Sequence, residues 1–195
     1  MKQLELLVIE DKEKHLEDAR EYFKGKEATG SVKITYAGTL AEAETMLGNH
    51  KYDGIISDIF FPLGTEQNEK KIGELHELLH RHAENIYNPQ LQREAMESIK
   101  AWREGKIEPP SGIYIVRKAK ELGIPIVLNT DSDHHGAGTE PVLRLSREKD
   151  YMVPLCDPID GMSQGGVAYD ESNPTKPWKL AYEILEKQII KRLEK

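Results

Sequence analysis

The sequence predicts an α/β domain in which helices cover both faces of a five-stranded parallel sheet. Two observations lead to this prediction. Short apolar runs of strand length alternate along the chain with segments whose apolar residues recur at helical spacing. The first of these runs is almost continuously apolar, which is typical of parallel strands buried on both faces. The 195 residues, of which 38% are hydrophobic, are expected to form a single domain, 1–195, with a sizeable insertion.

The chain is predicted to begin with a strand followed by a helix. Leu4–Ile9 is apolar except for Glu5, and the acidic pair Glu10 and Asp11 follows it directly. The next segment ends near Gly25 and carries a helical stripe that consists of Leu16, Ala19 and Phe23.

A second strand, a second helix and a third strand follow. Val32–Tyr36 alternates in the manner of a strand. Thr39 and Glu42 form a capping-box pattern for a helix whose apolar positions are Leu40, Ala43, Met46 and Leu47. Tyr52–Ser57 is the third predicted strand, and it places Asp58 at its carboxyl end.

Residues 64–108 differ in character, because they are polar, charged and helical in pattern. The first stripe in this segment consists of Ile72, Leu75, Leu79, Ala83 and Ile86. Asn88 and Pro89 are typical of the cap and first position of a second helix, whose stripe is Leu91, Ala95, Ile99 and Trp102. We interpret the segment as an inserted helical hairpin. Its apolar stripes require a partner, which is the other helix, the main domain or a second subunit.

After Pro110 the alternation of strands and helices resumes. The predicted elements are a helix that stops at Gly123, a strand Ile124–Leu128, a short helix Pro141–Glu148 and a short last strand Tyr151–Val153. Residues 154–174 are predicted to form a long connection rich in glycine and aspartate, and loops of this length are often functional. The final helix is expected to begin near Thr175.

Charge and composition restrict the expected partners and compartment. The net charge of −7 makes nucleic acid and anionic membranes unfavourable partners. The one cysteine, Cys156, suits a reducing compartment. No apolar stretch approaches the roughly 20 residues that span a bilayer, and the first residues do not resemble a signal peptide. A soluble, cytoplasmic protein is therefore expected.

Acidic residues follow several of the predicted strands. Glu10 and Asp11 follow the first strand, Asp58 ends the third, and Thr130 and Asp131 come after the fourth. The carboxyl ends of parallel strands meet at one edge of a sheet, where ligands bind. Carboxylates that converge there repel one another unless a hard cation such as Mg²⁺ joins them. A carboxylate near Mg²⁺ can attack a phosphoryl group, and a hydroxyl can then bond the phosphate oxygens.

Three segments resemble the response-regulator receiver domains of two-component signalling. Residues 7–11, Leu-Val-Ile-Glu-Asp, resemble the first strand and its acidic pair. Residues 53–62 resemble the phosphoacceptor strand, with Pro62 four residues after Asp58. Residues 123–130 resemble the fourth strand with its switch threonine. The resemblance covers about residues 1–62 and 110–153 and implies a flavodoxin-like fold.

The resemblance also implies roles for individual residues and a class of partner. Asp58 would be the phosphoacceptor, Glu10 and Asp11 would bind Mg²⁺ together with Asp58, and Thr130 would be the switch hydroxyl. The phosphoryl group would come from a sensor histidine kinase or a phosphotransfer protein. Since a chain of this size leaves no room for a separate DNA-binding domain, output is expected through contacts with a downstream protein. The inserted hairpin is a plausible contact or homodimer surface.

One departure from the family concerns a lysine. Receivers place a lysine at the end of the fifth strand, where it pairs with the acyl phosphate, but residues 151–155 contain none. Lys149 precedes the predicted strand and is badly placed to substitute, and Lys176 reaches the pocket only if the long loop folds back. This departure keeps a second hypothesis open, a pseudo-receiver that binds a partner without phosphotransfer. On either hypothesis the protein is expected not to be an enzyme that acts on small molecules.

A third hypothesis is a metal-dependent enzyme that uses the same fold. One version rests on His76, Glu77 and His80, which match a His-Glu-x-x-His zinc pattern on a helix. The pattern lacks a clear third ligand, and solvated helix histidines beside a leucine stripe are the favoured explanation. The other version combines Asp58 with the segment 131–135, which contains Asp131, Asp133, His134 and His135.

Overall fold

The computed structural model of the protein describes residues 3–64, 69–131, 138–149, 151–157 and 175–194. All five strands of its sheet are parallel, in the order β2-β1-β3-β4-β5, with helices around them. This is the flavodoxin-like α/β fold that the sequence predicts. The strands are β1 Leu4–Ile9, β2 Val32–Ala37, β3 Gly54–Ser57, β4 Ile126–Asn129 and β5 Leu155–Cys156. The helices are α1 Glu13–Ala28, α2 Leu40–Asn49, α3 Glu69–Glu84, α4 Pro89–Arg103, α5 Gly112–Leu122, α6 Glu140–Leu145 and α7 Trp178–Leu193.

The sheet separates two hydrophobic cores. Because successive side chains of a strand point to opposite faces, Leu6 and Val8 enter one core while Leu7 and Ile9 enter the other. The first core is closed by α1 and α7, through residues that include Phe23, Tyr182 and Leu185. The second is closed by α2 and α5 together with the inserted helices, through residues that include Leu40, Leu79, Trp102 and Ile115.

The inserted segment contains two helices, α3 and α4, which pack on each other, and α3 also packs on α6. The predicted cap is present, since the Asn88 side chain accepts hydrogen bonds from the backbone nitrogens of Gln90 and Leu91. The apolar stripes join the second core of the main domain, and Ile72 and Leu91 pack at its margin. Lys71 forms an ion pair with Glu44 of α2 at 2.6 Å. The main domain therefore supplies much of the apolar surface that covers these stripes.

The fifth strand corrects the prediction from sequence. The strand lies at Leu155–Cys156, within the predicted long connection, and not at Tyr151–Val153. The backbone nitrogen of Tyr151 donates to Glu148 O, so this residue closes a turn after α6. The ladder to β4 begins at the carbonyl of Pro154, which accepts from Leu128 N at 2.9 Å. The remainder of the predicted connection, 158–174, lies outside the described residues.

No helix in the described ranges is both long enough and apolar enough to cross a membrane.

Candidate functional site

The carboxyl ends of β1, β3 and β4 bring the predicted acidic residues to one edge of the sheet. The ladder continues past the strands, because Asp58 N donates to Ile9 O at 2.8 Å and Glu10 N donates to Ala37 O at 2.9 Å. Thr130 is fully buried, and its backbone nitrogen donates to Cys156 O on β5. The edge is therefore fixed by backbone hydrogen bonds on both sides of Asp58.

Glu10, Asp11 and Asp58 form a compact acidic group. One carboxylate oxygen from each residue lies within 4.8 Å of those of the other two. Glu10 and Asp58 are buried, and Asp11 is half-buried. The Oδ1 atom of Asp11 is shielded from solvent and accepts no hydrogen bond from the described residues. The structure thus brings together the three residues that the sequence predicts as metal ligands.

Lys176 places a buried ammonium group against these acids. Its Nζ atom lies 2.8 Å from Oδ2 of Asp58 and also contacts Oε2 of Glu10. The side chains of Lys176 and Glu10 are 0% exposed, and that of Asp58 is 1% exposed. A buried charge needs a partner, so the ammonium and the two carboxylates hold one another inside the fold.

Lys176 reaches the pocket because of the residues around the start of α7. Its carbonyl accepts a hydrogen bond from Trp178 N at 2.9 Å. Trp178, Leu180 and Ala181 are buried in the core between the sheet and α1. This packing fixes the first turn of α7 beside the carboxyl edge of the sheet. After the long connection, the chain therefore returns to the carboxyl edge of the sheet, as it must for Lys176 to contact Glu10 and Asp58.

Burial and charge oppose each other in this group. Burial raises the pKa of Asp58, and the ammonium of Lys176 offsets only part of that rise. Burial likewise raises the pKa of Glu10, with Lys176 opposing the rise and the charge of Asp58 adding to it. Burial alone would lower the pKa of Lys176, but the charges of Asp58 and Glu10 outweigh it and raise that pKa. Lys176 is thus the group that stays charged.

The backbone around Asp58 is held by close packing and local hydrogen bonds. The Oδ1 atom of Asp58 accepts from Ile59 N at 2.6 Å, which leaves Oδ2 directed to Lys176. Ser57 Oγ donates to the Asp58 carbonyl at 2.7 Å. On the other side, a Cβ atom on Gly112 would lie 2.4 Å from that same carbonyl oxygen. Only glycine fits where α5 begins, so α5 abuts the backbone of Asp58 directly.

Glu108, which follows the inserted hairpin, reaches the rim of the acidic group. It is half-buried, and its carboxyl group interacts with that of Asp11. Burial and the contact with Asp11 raise the pKa of Glu108 to about 7. Sequence reasoning treats Glu108 only as the end of the insertion, because nothing in its local pattern indicates that it returns to the strand ends.

Asp131 lies beside the acidic group but pairs with residues of α1 and its entry. Its Oδ2 atom lies 2.9 Å from Lys12 Nζ and 3.0 Å from His15 Nε2. Burial would raise the pKa of Asp131, but the hydrogen bonds from His15 and Lys12 and the charge of Lys176 lower it well below its usual range. His15 is buried, and the sequence gives no signal for its role.

The zinc hypothesis gains no third ligand from the described residues. The rings of His76 and His80 lie 5.6 Å apart between centroids, as expected for helix positions four apart. Among the described residues, however, Glu10, Asp11 and Asp58 form the only group of three or more metal-binding side chains within coordinating range. For the other enzyme version, Asp133, His134 and His135 lie outside the described residues, so only Asp58 and Asp131 are placed.

The acidic group fits a divalent cation of the oxygen-preferring kind. Three carboxylates and one ammonium leave a formal charge of −2 when all are ionised. The buried Oδ1 atom of Asp11 has a free lone pair, and every donor in the group is a hard oxygen atom. Mg²⁺ prefers such carboxylate ligands and retains several waters. Glu10, Asp11 and Asp58 are therefore the residues that would hold it.

Comparisons of the chain with protein-family models, with curated proteins and with solved structures found no match.

Proposed function

We propose that this chain is a receiver-like signalling module that accepts a phosphoryl group on the carboxylate of Asp58. The contact of the Lys176 ammonium with Asp58 and Glu10, inside a buried group of acids, carries this proposal. A cation at the acceptor is the feature that the sequence lacks after the fifth strand. Lys176 supplies it from the start of α7 instead.

The proposed reaction is a displacement at phosphorus. A carboxylate oxygen of Asp58 forms the new P–O bond, and the bond between phosphorus and the donor breaks. The donor leaves with that electron pair, as acetate from acetyl phosphate or as imidazole from a phosphohistidine, which then takes a proton from water. A Mg²⁺ ion held by Glu10, Asp11 and Asp58 would neutralise charge on the phosphoryl oxygens.

Lys176 has two roles in this proposal. It opposes the rise in the pKa of Asp58 that burial causes, and this favours the ionised carboxylate that the attack requires. After transfer, its ammonium is close enough to Oδ2 of Asp58 to pair with the phosphoryl oxygens. The hydroxyl of Thr130, buried at the end of β4, is the candidate switch group that would bond a further phosphoryl oxygen.

The proposed partners follow from this chemistry. The donor is a sensor histidine kinase or a phosphotransfer protein, and the output is a change in contacts with a downstream protein. Such an output needs two conformations whose balance the phosphoryl group shifts. The elements that connect the site to the surface are Thr130, which follows β4, and the inserted helices, which the rim residue Glu108 follows.

A second candidate function is a pseudo-receiver that binds its partner without phosphotransfer. The observation that favours it is the enclosure of the acceptor, because the Asp58 side chain is 1% exposed and already paired with Lys176. On this alternative, the buried ion pair stabilises one fixed conformation and the surface alone recognises the partner.

Intact mass after incubation with acetyl phosphate and Mg²⁺ tests the two candidates. The native chain is compared with Asp58→Asn and with Asp18→Asn, a change of the same charge at an exposed position on α1. The phosphoacceptor proposal predicts one phosphoryl adduct on the native chain and on Asp18→Asn, and none on Asp58→Asn. Circular dichroism checks that each variant is folded.

Absence of an adduct from the folded native chain would refute phosphotransfer from this donor and favour the pseudo-receiver. An adduct on Asp58→Asn as well as on the native chain would place the acceptor elsewhere. Both outcomes are distinct from misfolding, which the circular dichroism spectrum reveals.

A further inference from the structure

A second lysine, Lys12, lies beside the acidic group of Glu10, Asp11 and Asp58. It directly follows Asp11, and its backbone nitrogen donates to Oε1 of Glu10 at 3.1 Å. Its side chain is 44% exposed, whereas that of Lys176 is fully buried. The backbone of Lys12 is thus anchored to the site while its side chain remains partly exposed to solvent.

Asp131 fixes the direction of the Lys12 side chain. Lys12 Nζ lies 2.9 Å from Oδ2 of Asp131, and His15 Nε2 contacts the same oxygen at 3.0 Å. Asp131 directly follows Thr130, whose backbone nitrogen bonds β5. His15 on α1 and the backbone after β4 therefore hold Asp131, and Asp131 holds the ammonium of Lys12 beside the acidic group.

Electrostatics indicate what this ammonium group is able to do. Because the Lys12 side chain is partly exposed and pairs with Asp131, it carries the positive charge that is usual for lysine at neutral pH. The hydrogen bond from its backbone nitrogen to Glu10 keeps this charge next to the acidic group. A phosphoryl donor is anionic, and the carboxylates at this edge would repel it unless a cation faced it.

We propose that Lys12 binds the phosphoryl group of the incoming donor beside the acidic group of Glu10, Asp11 and Asp58. The ligand class is a phosphate or acyl phosphate anion, and the inference rests on the proposed acceptor role of Asp58. A lysine ammonium is a compact charge on a flexible stem, so it can move from Asp131 to a phosphoryl oxygen without any change in the backbone. In this arrangement Lys12 binds the incoming donor, while Lys176 pairs with the buried carboxylate of Asp58.

Binding of inorganic phosphate to the full chain in the presence of Mg²⁺, measured by isothermal titration calorimetry, tests the proposal. Lys12→Gln removes the charge and keeps a polar side chain, and Lys12→Arg keeps the charge. Lys24→Gln is the control, since Lys24 lies on α1, is 74% exposed and pairs with Glu21. We expect Lys12→Gln to bind phosphate about tenfold more weakly than the native chain, the effect of one charged contact. Lys12→Arg is expected to stay within about threefold of the native affinity, and Lys24→Gln to match it.

Three outcomes would overturn the proposal: unchanged affinity in Lys12→Gln, an equal loss in Lys24→Gln, or no phosphate binding by the native chain. Acetyl phosphate kinetics then separate this inference from the proposed function. If the native chain forms no adduct but Lys12→Gln still weakens phosphate binding, the acceptor role fails and the role of Lys12 stands. If Lys12→Gln forms the adduct with an unchanged KM for acetyl phosphate, the acceptor role stands and that of Lys12 fails.

Discussion

At the scale of single residues, the energetics of the carboxyl edge depend on one buried ammonium between two buried carboxylates. Taking ions out of water costs several kcal/mol each, and only mutual contact and hydrogen bonds offset that cost. Lys176 pairs with both Glu10 and Asp58, so its loss would leave two buried carboxylates without the positive charge that offsets them. The same residue is therefore central to both stability and the proposed chemistry.

Lys176→Met tests this dependence, because methionine retains much of the stem and removes the charge. We expect the free energy of unfolding at pH 7, measured with urea, to fall by about 3–5 kcal/mol. The loss should shrink as the pH falls, because the folded chain then protonates Asp58 and Glu10, whose pKa values burial raises. Lys179→Met, at a position that is 77% exposed, should change stability by less than about 0.5 kcal/mol. Equal effects of the two substitutions would contradict this account.

Glu108 gives the native chain a predictable dependence of stability on pH. Its folded pKa of about 7 exceeds the unfolded value of 4.5, so the folded state holds the proton more tightly. Its stabilising contribution is complete below pH 4.5 and is lost as the pH rises through 7. Since Glu108 is only half-buried and water screens its charge, we expect the free energy of unfolding to fall by about 1 kcal/mol over this pH range.

Urea unfolding between pH 4.5 and 8, in the presence of EDTA to exclude divalent ions, measures this dependence. Glu108→Gln should flatten the profile in that range, while Glu104→Gln, at a position outside the acidic group, should retain the native slope. A native profile that Glu108→Gln leaves unchanged would assign the slope to other groups.

The acids and the ammonium differ in how far the sequence predicts them. Glu10, Asp11 and Asp58 each follow an apolar run of strand length, and parallel strands end at a common edge. Lys176 lies 166 positions from its partner Glu10, after the long connection, and has no local pattern that announces its destination. The packing of Trp178 and its neighbours in the core determines where Lys176 lies, and this packing exists only in the folded chain.

At the scale of elements, the start of α5 and the loop that contains Asp58 form one tightly packed unit. Gly112 N donates to Ile59 O at 2.9 Å, and Ser111 Oγ donates to Phe61 O at 2.8 Å. The position of α5 therefore determines the backbone at Asp58 and cannot adjust to a larger residue at position 112. This follows from the contact of Gly112 with the Asp58 carbonyl.

Gly112→Ala should destabilise the protein, although alanine favours helices. The added Cβ would lie 2.4 Å from Asp58 O and 3.0 Å from Ile59 Cα, so backbone must move, at a cost of about 1–3 kcal/mol. Gly73→Ala on α3 is the control, because a Cβ there meets nothing within 4 Å. It should stabilise the fold by up to about 1 kcal/mol. Thermal unfolding measures both, and a stabilised Gly112→Ala would disprove the close contact.

Local chemistry predicts element ends well and sheet pairing less well. At α2 the predicted cap is present, because Glu42 N donates to Thr39 Oγ1, while Glu42 Oε2 accepts from Gly38 N and not from Thr39 N as in a full capping box. Gly123 ends α5 in the left-handed conformation that favours glycine. The predicted position of the fifth strand is wrong because an apolar run does not reveal which backbone nitrogens already donate within a preceding turn.

At the scale of the whole molecule, the inserted helices belong to the core of the domain. Leu79, Ala83, Ile99 and Trp102 are buried in the same cluster as Ile115 of α5 and Leu128 of β4. A hairpin of two helices is marginal by itself and gains its stability from packing. We therefore infer that the insertion and the sheet unfold together.

Leu79→Ala tests this cooperativity. Leu79 is 1% exposed in the second core, so its truncation should lower the global free energy of unfolding by about 2–5 kcal/mol. Leu193→Ala, at a position that is 74% exposed, should cost less than about 0.5 kcal/mol. Urea unfolding followed both by circular dichroism and by tryptophan fluorescence should give one shared transition, because Trp102 reports on the insertion and Trp178 on the opposite face of the sheet. If the variant instead shows an early transition of the insertion with the sheet intact, the hairpin is a separate unit, and the coupling between its surface and Asp58 must follow another route.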